Sequence, residues 1–322
     1  VQAKSKKTIF CMIDLNNVRS EEQFYKLLAT KVLQKSSSKI DSILENAKLF
    51  LGRFIPNISF SPNPETDLKL SLDWNEVRKE PDDILDLAEK IAVKTKKKII
   101  ICIDEFQNIS EFDYPVDFQK KLRAHWQLHQ NVTYCLYGSK RHMLMEVFSS
   151  PSMPFYKFGD IIFLEKIKEK DWIEFIIKRF HETGKHIEDE SAAIIANSCE
   201  NHPYYVQQLA QQVWLRSSEN CMPEVIQEAF EDLIMQLSML FQMLTDDLNM
   251  KQISFLNALT NKEKQFTSQS VLNNYKLGTS ANVIKIKKVL HDREIIDIVG
   301  KKIDFMDPLY KYWLKNYYFE SE

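Results

Sequence analysis

The sequence predicts an α/β protein: a parallel sheet with helices on both faces, followed by an all-α section and a C-terminal winged-helix domain. Three observations carry the prediction. Short apolar runs alternate with amphipathic segments of helical period up to residue 164, which is the pattern of a doubly wound sheet. After Glu169 strand signals stop. Residues 248–322 then read as helix, turn, helix and two short strands around Gly300-Lys301, a winged-helix plan.

Taken in order, residues 1–8 read as a basic helix end and a turn, and residues 9–14 as a first buried strand closing on Asp14. Ser20 caps a helix running to about residue 33, with Glu21 and Glu22 in the first turn, where the helix dipole favours negative charge. A second helix covers about residues 38–53. Residues 57–73 alternate around a proline-rich turn, Pro62-Asn63-Pro64, and predict a hairpin inserted in the α/β layer. Ile84, Leu85, Leu87, Ala88 and Ile91 place one apolar face on a helix over 81–95. A helix at 115–129, a strand at 132–137 ending on Gly138-Ser139, a helix at 140–148 and a fourth strand at 161–164 complete the layer. Helices at 169–183, 189–199, 203–217 and 222–247 follow. In the terminal module Ser268 opens one helix, Thr279 or Ser280 caps the next, and strands at 295–299 and 302–305 flank the Gly300 turn.

The run from Lys98 to Gln107 says most about chemistry. Five apolar residues, 99–103, predict a strand covered on both faces, and Asp104 and Glu105 follow at once. Open α/β sheets place ligands beyond the C-terminal ends of their strands. Two adjacent acids there suit a Walker B role: the first holds the water shell of Mg²⁺ and the second orients the water that attacks a γ-phosphate. The plainer reading is a core strand ending in solvated charge. The phosphate-cradling loop GxxxxGK[ST] does not occur among these residues: of the six glycines only Gly184 and Gly300 precede a lysine, and no glycine stands five places before either.

Composition sets the bounds. With 44% hydrophobic and 27% charged residues the chain reads as globular, and a net charge of −2 confines any nucleic-acid contact to a local basic face. No stretch reaches the apolar length of a membrane span. Cys11, Cys102 and Cys135 lie in strand-like runs, and Cys199 and Cys221 lack metal spacing, which favours a reducing, cytoplasmic setting without a disulfide frame or zinc.

Together these elements resemble the archaeal-type ATPases, AAA+/STAND-like P-loop proteins with a C-terminal winged helix. The resemblance rests on Ile13-Asp14, Ile103-Asp104-Glu105, Tyr137-Gly138-Ser139, Phe163-Leu164, Asn201-His202-Pro203-Tyr204 and Met306-Asp307-Pro308. It implies a P-loop-type core over 1–166, a helical lid over 167–247 and a winged helix over 248–322. It also implies ATP and Mg²⁺ bound between the sheet edge and the lid, with nucleotide state coupled to the winged helix. Two departures stand out. Asn201 occupies the place of a common lid glycine, and the likeness begins one strand late, so an upstream segment bearing the Walker A loop is expected.

The resemblance assigns Asp104 to the metal shell through water, Glu105 to orienting the attacking water, and Ser139 to sensing the γ-phosphate. Ser139 reads equally as a helix N-cap. Arg141 faces a phosphate or is a solvated helix arginine; His202-Pro203 approaches the base or ribose, or simply starts a helix with Pro near N1. His125 and His129, four apart, share a helix face but lack a third metal ligand and read as surface or helix-end groups. Asp14 reads as structural, and the aromatic tail around Tyr310 and Trp313 as packing on the winged helix. Asn282, Lys285, Lys288, Lys301 and Lys302 form a candidate DNA-phosphate surface, with protein contact or self-association through the lid or winged helix equally open. The reading is an ATP-binding protein, an ATPase only if the Walker A segment is present. The rivals are a nucleotide-dead scaffold and a winged-helix DNA-binding regulator.

Overall fold

The computed structural model describes residues 7–36, 40–52, 57–60, 68–71, 73–79 and 81–320. The chain divides into two compact units, Val1–Ile162 and Phe163–Glu322.

The first unit runs β1 (Thr8–Asp14), α1 (Glu21–Ser36), α2 (Ile40–Leu51), β2 (Asn57–Phe60), β3 (Leu68–Ser71), α3 (Trp74–Lys79), α4 (Asp82–Leu85), α5 (Leu87–Thr95) and β4 (Lys98–Asp104). A 3-10 turn (Phe106–Glu111), α6 (Pro115–Trp126), β5 (Val132–Leu136) and α7 (Arg141–Ser149) complete it. Strands β1, β4 and β5 form a parallel sheet in that spatial order, with Asp14 in register with Asp104. The hairpin β2–β3 pairs antiparallel as expected; its turn, 61–67, lies outside the described residues.

Two expectations are corrected. Burial along β4 alternates: Ile99, Ile101 and Ile103 are buried, whereas Ile100 and Cys102 are half-buried. The buried set joins Cys11, Ile13, Phe24, Leu28, Ile91 and Phe118 in one core. Phe10, Met12, Thr133 and Cys135, on the other face, are half-buried or exposed. An unbroken apolar run reports strand propensity and not which face is covered. Residues 161–164 form no strand; Ile162 is 82% and Leu164 95% exposed. β-propensity alone makes no strand without an edge to bond, and these residues lie where the two units divide.

The helix expected at 81–95 is two, α4 and α5, interrupted at Asp86. Asp86 Oδ1 lies 2.7 Å from His125 Nδ1 and 3.1 Å from His129 Nε2, and His129 Nδ1 lies 2.9 Å from the Tyr134 hydroxyl. Burial pushes the Asp86 carboxyl up, but the bonds from His129 and His125 outweigh it and hold it below the usual range. The two histidines therefore tie α4–α5 to α6 and β5; among the described residues no group of three or more His, Cys, Asp or Glu side chains is placed to hold a metal ion.

The second unit contains α8 (Glu169–His181), α9 (Asp189–Ser198), α10 (Pro203–Arg216), α11 (Pro223–Asp246), α12 (Met250–Thr260), α13 (Gln269–Asn274), α14 (Ser280–Asp292), β6 (Ile296–Val299), β7 (Lys302–Phe305) and α15 (Pro308–Trp313). One continuous core runs through it from Trp172 to Leu314. Caps fall where local sequence places them: the Ser268 side chain accepts from Val271 N and that of Thr279 from Asn282 N. Gly300, at φ +61°, turns the wing between β6 and β7. Asp307 caps α15, and its other carboxylate oxygen accepts from the Tyr205 hydroxyl of α10. Lys311 pairs with Glu200 at 2.8 Å. Tyr310 and Trp313 are buried in the shared core. No described helix is long and apolar enough to cross a membrane.

Asn201 explains itself here. It sits at φ +59°, the left-handed region that glycine and asparagine adopt most readily, and its buried Oδ1 has no hydrogen-bond partner. Asn201→Ala is expected to cost about 1 kcal/mol, and Asn201→Gly less. Thermal denaturation of both checks the order, and equal melting temperatures would remove the argument.

Candidate functional site

The three parallel strands end together, and backbone bonds staple the residues just beyond them. Leu15 N donates to Asp104 O at 3.1 Å, Tyr137 N to Ile103 O at 3.0 Å, and Phe106 N to Tyr137 O at 3.0 Å. The buried Asn108 side chain donates to Leu15 O at 3.1 Å. The rim thus gathers residues from β1, β4 and the turn after β5, as an open α/β sheet does at its ligand edge.

On this rim Asp104 accepts from its neighbour's amide, Glu105 N, at 2.9 Å. Glu105 stands at φ +51° and ψ +40°, a left-handed conformation that costs a non-glycine residue about 1 kcal/mol. Its carboxylate spans to the next strand end: Oε2 accepts from Ser139 Oγ at 3.1 Å and Oε1 from Ser139 N at 3.3 Å. Beneath it Gln107, fully buried, donates from Nε2 to Glu105 Oε2 at 2.5 Å, while Gln107 Oε1 has no partner. Gly138 makes room for that amide, since a Cβ there would lie 1.9 Å from Gln107 Oε1. Burial, and then the negative charge of Asp104 with a smaller share from Asp14, pushes the Tyr137 hydroxyl up.

Of the predicted site residues, the fold brings Asp104, Glu105 and Ser139 together. Ser139 does not cap α7; that position falls to Lys140, without a side-chain bond, and the Ser139 hydroxyl goes to Glu105 instead. Arg141 is exposed as the first residue of α7. In the second unit His202 is the N-cap residue of α10 and Pro203 its first helical residue. Burial pushes the His202 imidazole down against the charge of Asp307, and its Nδ1 is buried without a partner. Asn282 is committed to the fold, donating to Leu277 O at 2.6 Å. Lys285 and Lys288 are exposed on α14, Lys301 is exposed at the wing turn, and Lys302 pairs with Asp304 at 3.3 Å.

A family model described as "Probable winged helix domain" matches residues 239–316. Among solved structures, a Walker-type ATPase of Pyrococcus abyssi matches with a TM-score of 0.61 at 14% identity, over 95% of this chain and 84% of that one. The chain shares the fold of this Walker-type ATPase. The ORC2 protein of Aeropyrum pernix, solved in ADPNP and ADP complexes, matches with a TM-score of 0.55 at 12% identity, over 94% of this chain and 75% of that one. A search of curated proteins gave no match.

Within this Walker-type fold two residues at the rim escape the sequence. Gln107 carries no motif, and nothing local signals that Gly138 approaches it. Asp14 reads as structural from local sequence, yet it faces the same edge as its register partner Asp104. Strand alignment carries that signal, which is available once both runs are taken as parallel neighbours.

Proposed function

We propose that this chain is the core of an ATP-binding ATPase whose acidic sheet rim receives Mg–ATP, with nucleotide state passed to the winged helix. The carrying observation is that Glu105 leaves the central strand in a left-handed conformation and is held by both Ser139 donors of the neighbouring strand end. Strain of this kind collects where function needs a side chain aimed in one direction.

The residues suit the metal. Asp14 and Asp104 offer oxygen donors only, and among the described residues each bonds through Oδ1 to a nearby amide and leaves Oδ2 unbonded. Mg²⁺ is bound through one or two carboxylates, its own waters and phosphate oxygens. When bound it supplies charge neutralisation at the phosphates. Asp104 holds its water shell. Glu105 orients the attacking water, and Ser139 couples that carboxylate to the end of β5. No GxxxxGK[ST] run occurs among these residues, so this reading requires a phosphate cradle that they do not supply. Within the second unit we take residues 167–247 as the lid and 248–322 as the winged helix. The Tyr205–Asp307 and Lys311–Glu200 contacts make lid and winged helix answer together.

The test is Mg²⁺-dependent ATP binding by the polypeptide that includes the phosphate loop, against Asp104→Asn. The variant is expected to weaken metal-dependent binding about 10–100-fold. Equal affinities would overturn the assignment of Asp104, and no nucleotide binding by either would leave an interaction scaffold.

A further inference from the structure

Charge in this chain is unevenly spread. Residues 248–291 hold seven lysines and one acid, Glu263, although the whole chain carries a net charge of −2. Among the described residues none of the seven pairs with a carboxylate. The basic groups that follow do: Arg293 pairs with Asp247 at 3.3 Å, Lys302 with Asp304 at 3.3 Å and Lys311 with Glu200 at 2.8 Å. Lys287 is half-buried, with its Nζ 5.4 Å from the centre of the Phe266 ring, and the other six are exposed. Exposed charge of one sign on a folded surface makes a local field that recruits the opposite sign.

Four of the six gather along one element. Lys276 stands at φ +51° in the turn before α14. Lys251, from the first turn of α12, reaches the same turn: a Cβ on Gly278 would lie 3.6 Å from its Nζ. Lys285 and Lys288 continue along the outer side of α14, where Ala281 and Ile284 are also exposed. At helical rise, residues 278–288 span about 15 Å. Duplex DNA carries about nine phosphate charges over that length. We propose that the outer side of α14, with the turn before it, binds the phosphate backbone of duplex DNA without reading its base sequence.

The shape of the element favours DNA over RNA. B-form DNA opens a major groove about 12 Å wide, which admits an α-helix, whereas the A-form groove of duplex RNA is closed to side chains. The absence of sequence reading follows from the side chains on α14. Rigid readers of base edges are arginine and the side-chain amides. α14 has no arginine, and its one amide, Asn282, donates to Leu277 O at 2.6 Å. Ile284, 66% exposed, offers no hydrogen bond. Lysine remains, and it meets phosphate as a point charge.

DNA binding here is independent of the acidic rim, and the experiment contains no nucleotide. Fluorescence anisotropy follows the full chain on two labelled DNA duplexes of equal length and unrelated sequence, from about 50 to 200 mM salt. The expected result is similar affinity for both, with log K falling against log salt at a slope of about −3 to −4, the value for four phosphate contacts. Lys285→Glu combined with Lys288→Glu is expected to flatten the slope by about 2 and to weaken both duplexes alike. Lys170→Glu combined with Lys178→Glu, at exposed positions of α8, changes net charge equally and is expected to leave binding unchanged. A duplex RNA of the same length is expected to bind more weakly. No DNA binding at low salt, a preference above about tenfold for one sequence where specific sites gain about 10³-fold or more, tighter binding of the RNA, or equal losses in the two double variants would overturn the proposal.

Discussion

Glu105→Gln is expected to leave Mg–ATP binding unchanged and to lower turnover about 10²–10³-fold, the usual share of a positioned acid–base group. The amide keeps the shape of the carboxylate and an oxygen for Ser139 N, but loses the charge that polarises water. Steady-state hydrolysis and equilibrium binding, measured on the same polypeptide with its phosphate loop, separate the two effects. Unchanged turnover sinks the role given to Glu105. Backbone strain supplies a second check that needs no nucleotide. Because Glu105 sits at φ +51°, Glu105→Gly is expected to be about 1 kcal/mol more stable than Glu105→Ala, although both lack the carboxylate. A residue kept in the left-handed region at a cost to stability is retained for what its side chain does there.

The largest effect on stability at the rim is expected from Gly138→Ala. An added Cβ would stand 1.9 Å from Gln107 Oε1, and Gln107 is fully buried and tied to Glu105, so the amide cannot simply swing into solvent. Gly138 is not among the left-handed residues, so the cost is steric and not one of backbone conformation. Overpacking of this kind costs about 1–3 kcal/mol. Gln107→Ala in the same chain removes the clash. The double variant is therefore expected to be more stable than the sum of the single changes predicts, by about 1 kcal/mol or more. Strict additivity in denaturant titrations would show that the two residues do not meet. The Glu105–Ser139 contact should loosen together with Gln107, which links this packing defect to turnover.

The rim is partly legible in the sequence because its signals are local. An apolar run followed by two acids places Asp104 and Glu105 at a strand end, and Gly138-Ser139 closes the neighbouring strand in the same way. Caps at Ser268 and Thr279 and the turn at Gly300 are readable for the same reason, since each is satisfied within a few residues. Gln107 is not legible, because its meaning lies in Gly138, thirty-one positions away and beyond the end of β5. Nor is the break at Asp86, which exists alongside imidazoles contributed from the end of α6 and beyond. Residues 161–164 show the converse error: the composition of a strand without a partner to bond.

Periodicity, caps and the order of apolar runs by themselves determined most of the helices, three of the four expected parallel strands and the winged helix, because each is settled by the spacing of neighbours along the chain. Only the tertiary structure decided which face of the sheet is covered, that Ser139 serves Glu105 instead of a helix, and that Asp307 ties α15 to α10. The physical reason is that such pairings form between groups far apart in sequence. Their free energy depends on burial and direction after packing, and neither quantity is written in local order.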